Sequence, residues 1–425
     1  MPAVSAGRDH EIAVVGAGML GASAARHLAD AGCDVILVGQ GEPAERGSSE
    51  EELVSQPVYA SHYDVARVSR TIDPDPTRAW LGHRSVDQFA DVAARTGITA
   101  INPVGHLWVD STAGIDSLVD ADRRYSLDCQ RRTAAEVSNA MPYLSFSDGS
   151  DTIWEPPPAG SVDPRAHVAA ETAAAVAAGA VHVEALVGSV APVGGPVSDG
   201  VGGRVEVVTD AGTFTADRVL LATGAFSGHG TSPAAGLDLE YALHTQLLVH
   251  LDAEEVERLA GMPSIIGKFV DPADDFYLTP PVSDRRPTAD RASRNISPAD
   301  RFILKLGAPQ DDHVRATADE LAAWFRTDGD PAFAARLAGI LERLLPGLRD
   351  VGRWTTSCVT TYTPSGFPFI DWVGDGSRRV ACAIGGNGFA AKCAPALGEL
   401  AAGLLLDREW PAEVDRELFL ARYAS

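Results

Sequence analysis

With 425 residues, 45% of them hydrophobic and 22% charged, the chain has the composition of a folded globular protein long enough for two or three domains. The 58 acidic against 35 basic side chains leave a formal charge of -23, which opposes sequence-independent attraction to nucleic acid or an anionic membrane and points to small molecules as partners. Five cysteines (Cys33, Cys129, Cys358, Cys382 and Cys393) are odd in number and lack paired metal-ligand spacing, so no disulfide framework or metal site is indicated and a reducing cytoplasm is expected.

From the start, no basic segment followed by an apolar run precedes "EIAVVG", and no run of about 18 uncharged apolar residues follows anywhere, so an unexported protein with no membrane span is expected. "EIAVVGAGMLGASAARHLADAGCDVILVG" (11–39) predicts strand, glycine turn, helix, strand: Ile12 to Val15 are apolar, Ala25, Leu28 and Ala29 recur at helical spacing, and Val35 to Val38 form the second strand. Gly16, Gly18 and Gly21 suit a tight turn, close backbone approach to a pyrophosphate, and close helix-on-strand packing. The helix N-terminus that follows offers unpaired N–H groups to phosphates. An acid commonly meets the adenine ribose at the end of the second strand, but Gly39 stands there, with Gln40 and Glu42 as substitutes.

Further along, Pro164 suits a first helical turn and Gly179 a helix end in "DPRAHVAAETAAAVAAGAVHVEALV", which closes at Val187. A hairpin around Ala211-Gly212 leads into a buried strand ending at Ala222-Thr223-Gly224, where Gly224 fits either close passage of a nucleotide or an ordinary strand end. Between these blocks, residues 91–150 and 239–351 mix short strands such as "HTQLLVHL" and "RFILKLGAP" with polar loops, and read as a second domain inserted twice into the first. The polar stretch 283–300 reads as a loop or lid. Asp330-Pro331 opens a helix whose apolar stripe is Leu337, Ile340, Leu341 and Leu344, stopped by Pro346-Gly347.

Four stretches together, "VVGAGMLG", "SHYDVARVSR" (61–70), "FILKLG" (302–307) and the pair "SCVTTYTPSGFPFID" with "AIGGNGFAAK", resemble the monomeric sarcosine oxidase group of the D-amino-acid-oxidase-like flavoproteins, which includes N-methyl amino acid and pipecolate oxidases. The resemblance implies an α/β fold, α+β overall: a discontinuous Rossmann-like FAD-binding domain (1–90, 151–238 and 352–425) with an inserted antiparallel-sheet substrate domain. It implies FAD held by Gly16, Ala17, Gly18, Met19, Leu20 and Gly21, by Ser61, His62 and Arg67 beside the isoalloxazine, by Val187 and Gly224, and by Gly386, Asn387, Gly388 and Phe389.

Carried over residue by residue, Arg67 favours negative charge on the reduced flavin, and Arg70 matches the arginine that pairs with a substrate carboxylate. Taken alone, two arginines three apart fit a solvated face better. Lys305 matches a lysine that promotes reaction with oxygen; by itself it also fits an edge strand facing water. Cys358 falls where the group carries a cysteine thioether-linked to the flavin, whereas a lone cysteine is commonly a small buried hydrophobe. Two departures stand out: Ala390 replaces the lysine that follows the Phe, leaving Lys392 as nearest candidate, and Thr360 replaces an aromatic. Both suggest a larger or cyclic amine, or one held by fewer charges.

The implied activity is oxidation of a secondary amine or cyclic imino acid to an imine by hydride transfer to flavin, with O2 reduced to H2O2. A dehydrogenase using another acceptor, and a non-catalytic flavin-holding subunit, are the alternatives.

Overall fold

The structure, a computed structural model, describes residues 9–424 apart from 45, 47–48, 147–149, 194–202, 230–231, 270, 287–300 and 311. Most of the polar stretch expected as a loop or lid therefore lies outside the described residues. Asp9–Val15 is apolar on both faces because it is central: it pairs in parallel with Val35–Val38 on one side and Gly212–Leu221 on the other. Val181–Val183 extends the sheet in parallel, and Val380–Ile384 adds to the far end of Gly212–Leu221. Val187–Val193 and Arg204–Thr209 pair antiparallel, the latter turning into Gly212–Leu221 where the Ala211-Gly212 hairpin is expected. Phe369–Val373 completes eight strands.

Alternation along the central strands sorts the core. Val14, Leu37 and Leu220 face Leu28 of the helix Met19–Asp30 and Leu397 and Leu400 of Ala390–Leu405. Ala13, Val15, Ile36 and Leu221 point the other way, into a cluster with Val207, Phe214 and Phe325.

Nine strands form the second sheet, in which Glu240–Leu251 is the spine. It pairs antiparallel with Phe302–Gly307 on one side and with Gly352–Tyr362 on the other. One pair, Ser264–Gly267 with His106–Asp110, is parallel. Leu247, Val249, Leu304 and Leu306 bury against the stripe Leu337, Ile340, Leu341 and Leu344 of Pro331–Leu344, capped by Asp330 as its sequence predicts. Asp163 and Asp75 cap Pro164–Ala177 and Pro76–Thr96 by the same Asp-Pro device.

Two strands depart from the expected division at 151 and 352. Asp151–Glu155 and Gly352–Tyr362 both lie in the nine-stranded sheet, because their backbone ladders are closed by His106–Asp110 and Glu240–Leu251. The chain rejoins the first sheet only at Phe369. Gly352–Tyr362 thus crosses from one sheet toward the other and carries Cys358 and Thr360 to the seam. Arg67–Ser69 belongs to a separate three-stranded sheet with Gly160–Val162 and Ile101–Asn102. No helix among the described residues is long and apolar enough to cross a membrane.

Candidate active site at the seam of two sheets

One cavity of about 630 Å³ runs along this seam. Its first end is the glycine turn. Gly16 sits at φ +109°, and a Cβ there would come within 2.3 Å of the Ala222 carbonyl oxygen. At Gly21 a Cβ would lie 1.9 Å from the Gly16 oxygen, so the helix packs on the strand only because both are glycines. Gly18 differs: the nearest atom to a Cβ there is His62 Nδ1 at 3.7 Å, leaving the backbone open toward the cavity. These are the three duties expected of the motif.

Gly39 replaces the usual acid for a steric reason, since a side chain would strike Ala17 N at 2.5 Å. Of the two substitutes, Glu42 is committed to Arg165 through contacts of 2.5 and 2.7 Å. Gln40 lines the cavity, and its buried Oε1 has no partner among the described residues.

Gly16 through Leu20, Ser61, His62, Arg67, Val187, Gly224 and Gly386 through Phe389 all line the cavity, as do Arg70, Thr360 and Lys392. Gly21, Lys305 and Cys358 stand behind the wall. The last glycine loop is fixed by Asn387, at φ 44°, whose Oδ1 accepts from Thr363 N (3.0 Å) and whose Nδ2 donates to Gly385 O (3.0 Å). A dinucleotide with a planar ring fits these features: an open glycine backbone at a helix start, an orphaned amide oxygen, and a shaped polar loop.

Arg67 organises the middle of the site. Its Nη2 donates to Ser61 O (3.0 Å) and lies 3.4 Å from Cys358 Sγ, while its Nε pairs with Asp64 at 2.8 Å. Asp64 in turn accepts from Lys305 Nζ at 2.6 Å, and Ala66 O takes another of that ammonium's protons. Burial pulls the fully buried Lys305 down to about 8 even though Asp64 pulls it up. Burial would raise Asp64, but Arg67 and Lys305 outweigh it and hold the carboxyl at about 2. Burial likewise opposes the Arg67 charge, and Asp64 and the Cys358 sulfur reverse that, so the guanidinium stays protonated above its ordinary range. Lys305 is therefore neither on an edge strand nor facing water: its strand lies between two others.

Two histidines on the wall are neutral. Burial lowers His62 to about 3 and His244 to about 4, and His244 Nδ1 has no partner among the described residues. At the other end Arg70 lies over Trp108, 4.8 Å from the ring centroid, and donates to Asp73 at 3.0 Å. Lys392, although two residues beyond the position of the family's lysine, reaches the same carboxylate at 2.9 Å. Lys392 lies in the first turn of the helix Ala390–Leu405.

Asp64, Asp73, Glu155, His244 and Tyr277 were not singled out from sequence. Asp64 had a signal, being inside "SHYDVARVSR" and three residues before Arg67. Asp73 sits in "TIDPDP" two residues before Asp75, which caps the helix, and Asp73 itself pairs with Arg70. The other three reach the site through strand pairing over long sequence separations and had no local signal.

Residues 11–404 match the family described as FAD dependent oxidoreductase (DAO). N-methyl-L-tryptophan oxidase of Yersinia pestis (strain Pestoides F) is 23% identical over 424 residues, covering 98% of this chain and 100% of the relative. Among solved structures, a mutant of NikD, an unusual amino acid oxidase essential for nikkomycin biosynthesis, superposes with TM-score 0.71 at 18% identity over 98% of both chains. Glycine oxidase from Geobacillus kaustophilus does so with TM-score 0.65 at 19% identity, over 98% of this chain and 100% of that one. These structural likenesses establish the shared fold, and the match over almost the whole length places the chain in the DAO family of FAD-dependent oxidoreductases, enzymes acting on amino acid C–N bonds.

Proposed function

We propose that the protein is an amine oxidase that converts a secondary amine, or a cyclic imino or N-alkyl amino acid, to the imine while O2 is reduced to H2O2. The observation that carries this reading is a single cavity joining the dinucleotide turn at Gly16–Gly21 to two inward-facing cations, Arg70 and Lys392, with Arg67 on the same wall. The names of the relatives, an N-methyl amino acid oxidase and a glycine oxidase, support the same chemistry. Bound FAD supplies the two-electron oxidant for the C–N bond.

The chain's own residues do the rest. Gly16 to Leu20 hold the pyrophosphate against the helix start, with Gly21 allowing the close packing, and Ser61, His62, Val187, Gly224 and Gly386 to Phe389 enclose the remainder of the cofactor. Arg67, kept protonated by Asp64, places positive charge where the reduced ring accumulates negative charge. Lys305 extends that positive field and favours reduction of oxygen. Cys358, whose sulfur lies 3.4 Å from the Arg67 guanidinium, would be the residue that tethers the ring. Arg70, Lys392 and Thr360 receive the polar end of the substrate. An amine entering neutral needs orientation more than a strong base, and neutral His244 offers it a hydrogen-bonding atom without adding charge.

The test is anaerobic mixing of the purified yellow protein with a panel of N-methyl amino acids, cyclic imino acids and their amides. Bleaching of the flavin, followed on admission of air by one peroxide per amine consumed, is the expected result. Bleaching without peroxide would make it a dehydrogenase, and no bleaching by any amine would leave a flavin-holding subunit.

A further inference from the structure

We infer that the amine this site accepts carries an uncharged group, and no free carboxylate, at the end that meets Arg70 and Lys392, because Asp73 already supplies the carboxylate from within the protein. This rests on the amine oxidase reading and narrows its substrate class.

Asp73 is buried, and each of its oxygens is engaged. Oδ2 accepts from Arg70 Nη2 at 3.0 Å and from Lys392 Nζ at 2.9 Å. Oδ1 accepts from Asp75 N at 3.2 Å. It cannot swing aside without leaving two buried cations unneutralised, an arrangement far costlier than a surface charge. Behind it, Glu155 is buried and accepts from the backbone of Thr71 (2.9 and 3.1 Å) and Ile72 (3.0 Å). Burial raises Glu155, so Asp73, held below the usual carboxylate range by Lys392 and Arg70 despite its burial, is the carboxylate that balances the two cations. Of the other titratable neighbours, burial lowers His106 and raises Cys393, so both stay neutral, and Arg78 lines the same cavity. A second, incoming carboxylate would meet Asp73 at close range in a low-dielectric pocket, where like charges repel strongly.

What the cluster still offers a ligand is a donor. Arg70 Nε is buried without a partner among the described residues, and Arg70 lines the cavity with one face covered by Trp108. An unspent N–H beside cations already paired with Asp73 suits a carbonyl, amide, ester or hydroxyl oxygen. Such an acceptor satisfies the orphan at no charge cost.

The experiment compares matched ligands differing only in that group: pipecolate with pipecolamide, and N-methylglycine with its amide. Binding is measured by anaerobic calorimetry on protein whose flavin has been reduced beforehand, in the parent and in Asp73→Asn, which keeps the shape and the Asp75 contact. The expected result is that the parent favours the amides by at least about tenfold, and that Asp73→Asn gains at least about tenfold for the carboxylates. Tighter binding of the carboxylates by the parent overturns the inference, and so does failure of Asp73→Asn to gain carboxylate affinity. A purely structural role for Asp73 predicts equal weakening of both ligand types, which also overturns it. Flavin bleaching, recorded separately, reports on the oxidase reading: a protein bleached by carboxylates in preference to amides refutes this inference while leaving that reading intact.

Discussion

Replacing Gly18 and Gly21 by alanine, one at a time, should separate the two jobs that a glycine turn does. A Cβ at position 21 lands 1.9 Å from the Gly16 carbonyl oxygen and 3.2 Å from the Ala222 side chain. The first contact is about 1.5 Å closer than van der Waals distance, and the obstacle is backbone that cannot rotate away. Overpacking of this kind costs about 1–3 kcal/mol, and a backbone obstacle belongs at the upper end, about 3 kcal/mol. Position 18 is different, with its nearest neighbour at 3.7 Å and φ at -88°, so the loss is confined to a weaker helix cap, within about 1 kcal/mol. Its Cβ points into the space assigned to the pyrophosphate. The assay uses both variants in a Cys358→Ala background so that flavin can be stripped, with thermal unfolding followed before and after reconstitution. Flavin-free Gly21→Ala should unfold about 3 °C below the parent, whereas flavin-free Gly18→Ala should melt with the parent and yet fail to recover FAD. If Gly18→Ala binds FAD as tightly as the parent, or Gly21→Ala melts with it, the division of roles at this turn is wrong.

Three further outcomes follow from the same geometry. Acid precipitation should carry the yellow colour into the pellet, and Cys358→Ala should release it to the supernatant; colour in the parent's supernatant would make Cys358 a packed thiol. Lys305→Met should slow reoxidation of reduced flavin by oxygen roughly 100-fold, within the range seen when one preorganised charge or donor is removed. Because burial brings Lys305 down to about 8, the parent's oxygen reaction should fall as pH rises through that value, and the variant should show no such fall. Between about 8 and the ordinary lysine value of 10.5 the unfolded chain binds more protons than the folded one, so this group makes stability rise with pH there, a slope that urea titrations should lose in Lys305→Met. Leu341→Ala, in the buried stripe of Pro331–Leu344, should cost about 2–5 kcal/mol without altering flavin spectra.

Local chemistry made several parts of this molecule legible in the sequence. The glycine turn, the Asp-Pro helix starts at 163 and 330, the hairpin at 211–212 and the stripe from Leu337 to Leu344 each depend on residues within a few positions of one another, so propensity, capping and periodicity report them directly. Lys305 was also visible, because a cation inside "FILKLG" needs a partner. What sequence left open was which partner. Asp64 meets Lys305 across 241 positions, and Asp73 meets Lys392 across 319.

Only the tertiary structure decided those pairings, and with them the charge of the site. Side-chain contacts between strands and helices far apart in sequence depend on sheet order and register, which no local pattern specifies. The same holds for Gly352–Tyr362: its residues announce a strand, but its place along Glu240–Leu251 is set by which backbone closes its ladder. That placement brings Cys358 to within 3.4 Å of Arg67. The amino-acid sequence alone determined that a dinucleotide turn, a set of cations and a cysteine would be present. Burial and long-range pairing determined that one carboxylate pairs with Arg67 and Lys305 while another pairs with Arg70 and Lys392, because a buried charge is stable only where the fold delivers its partner.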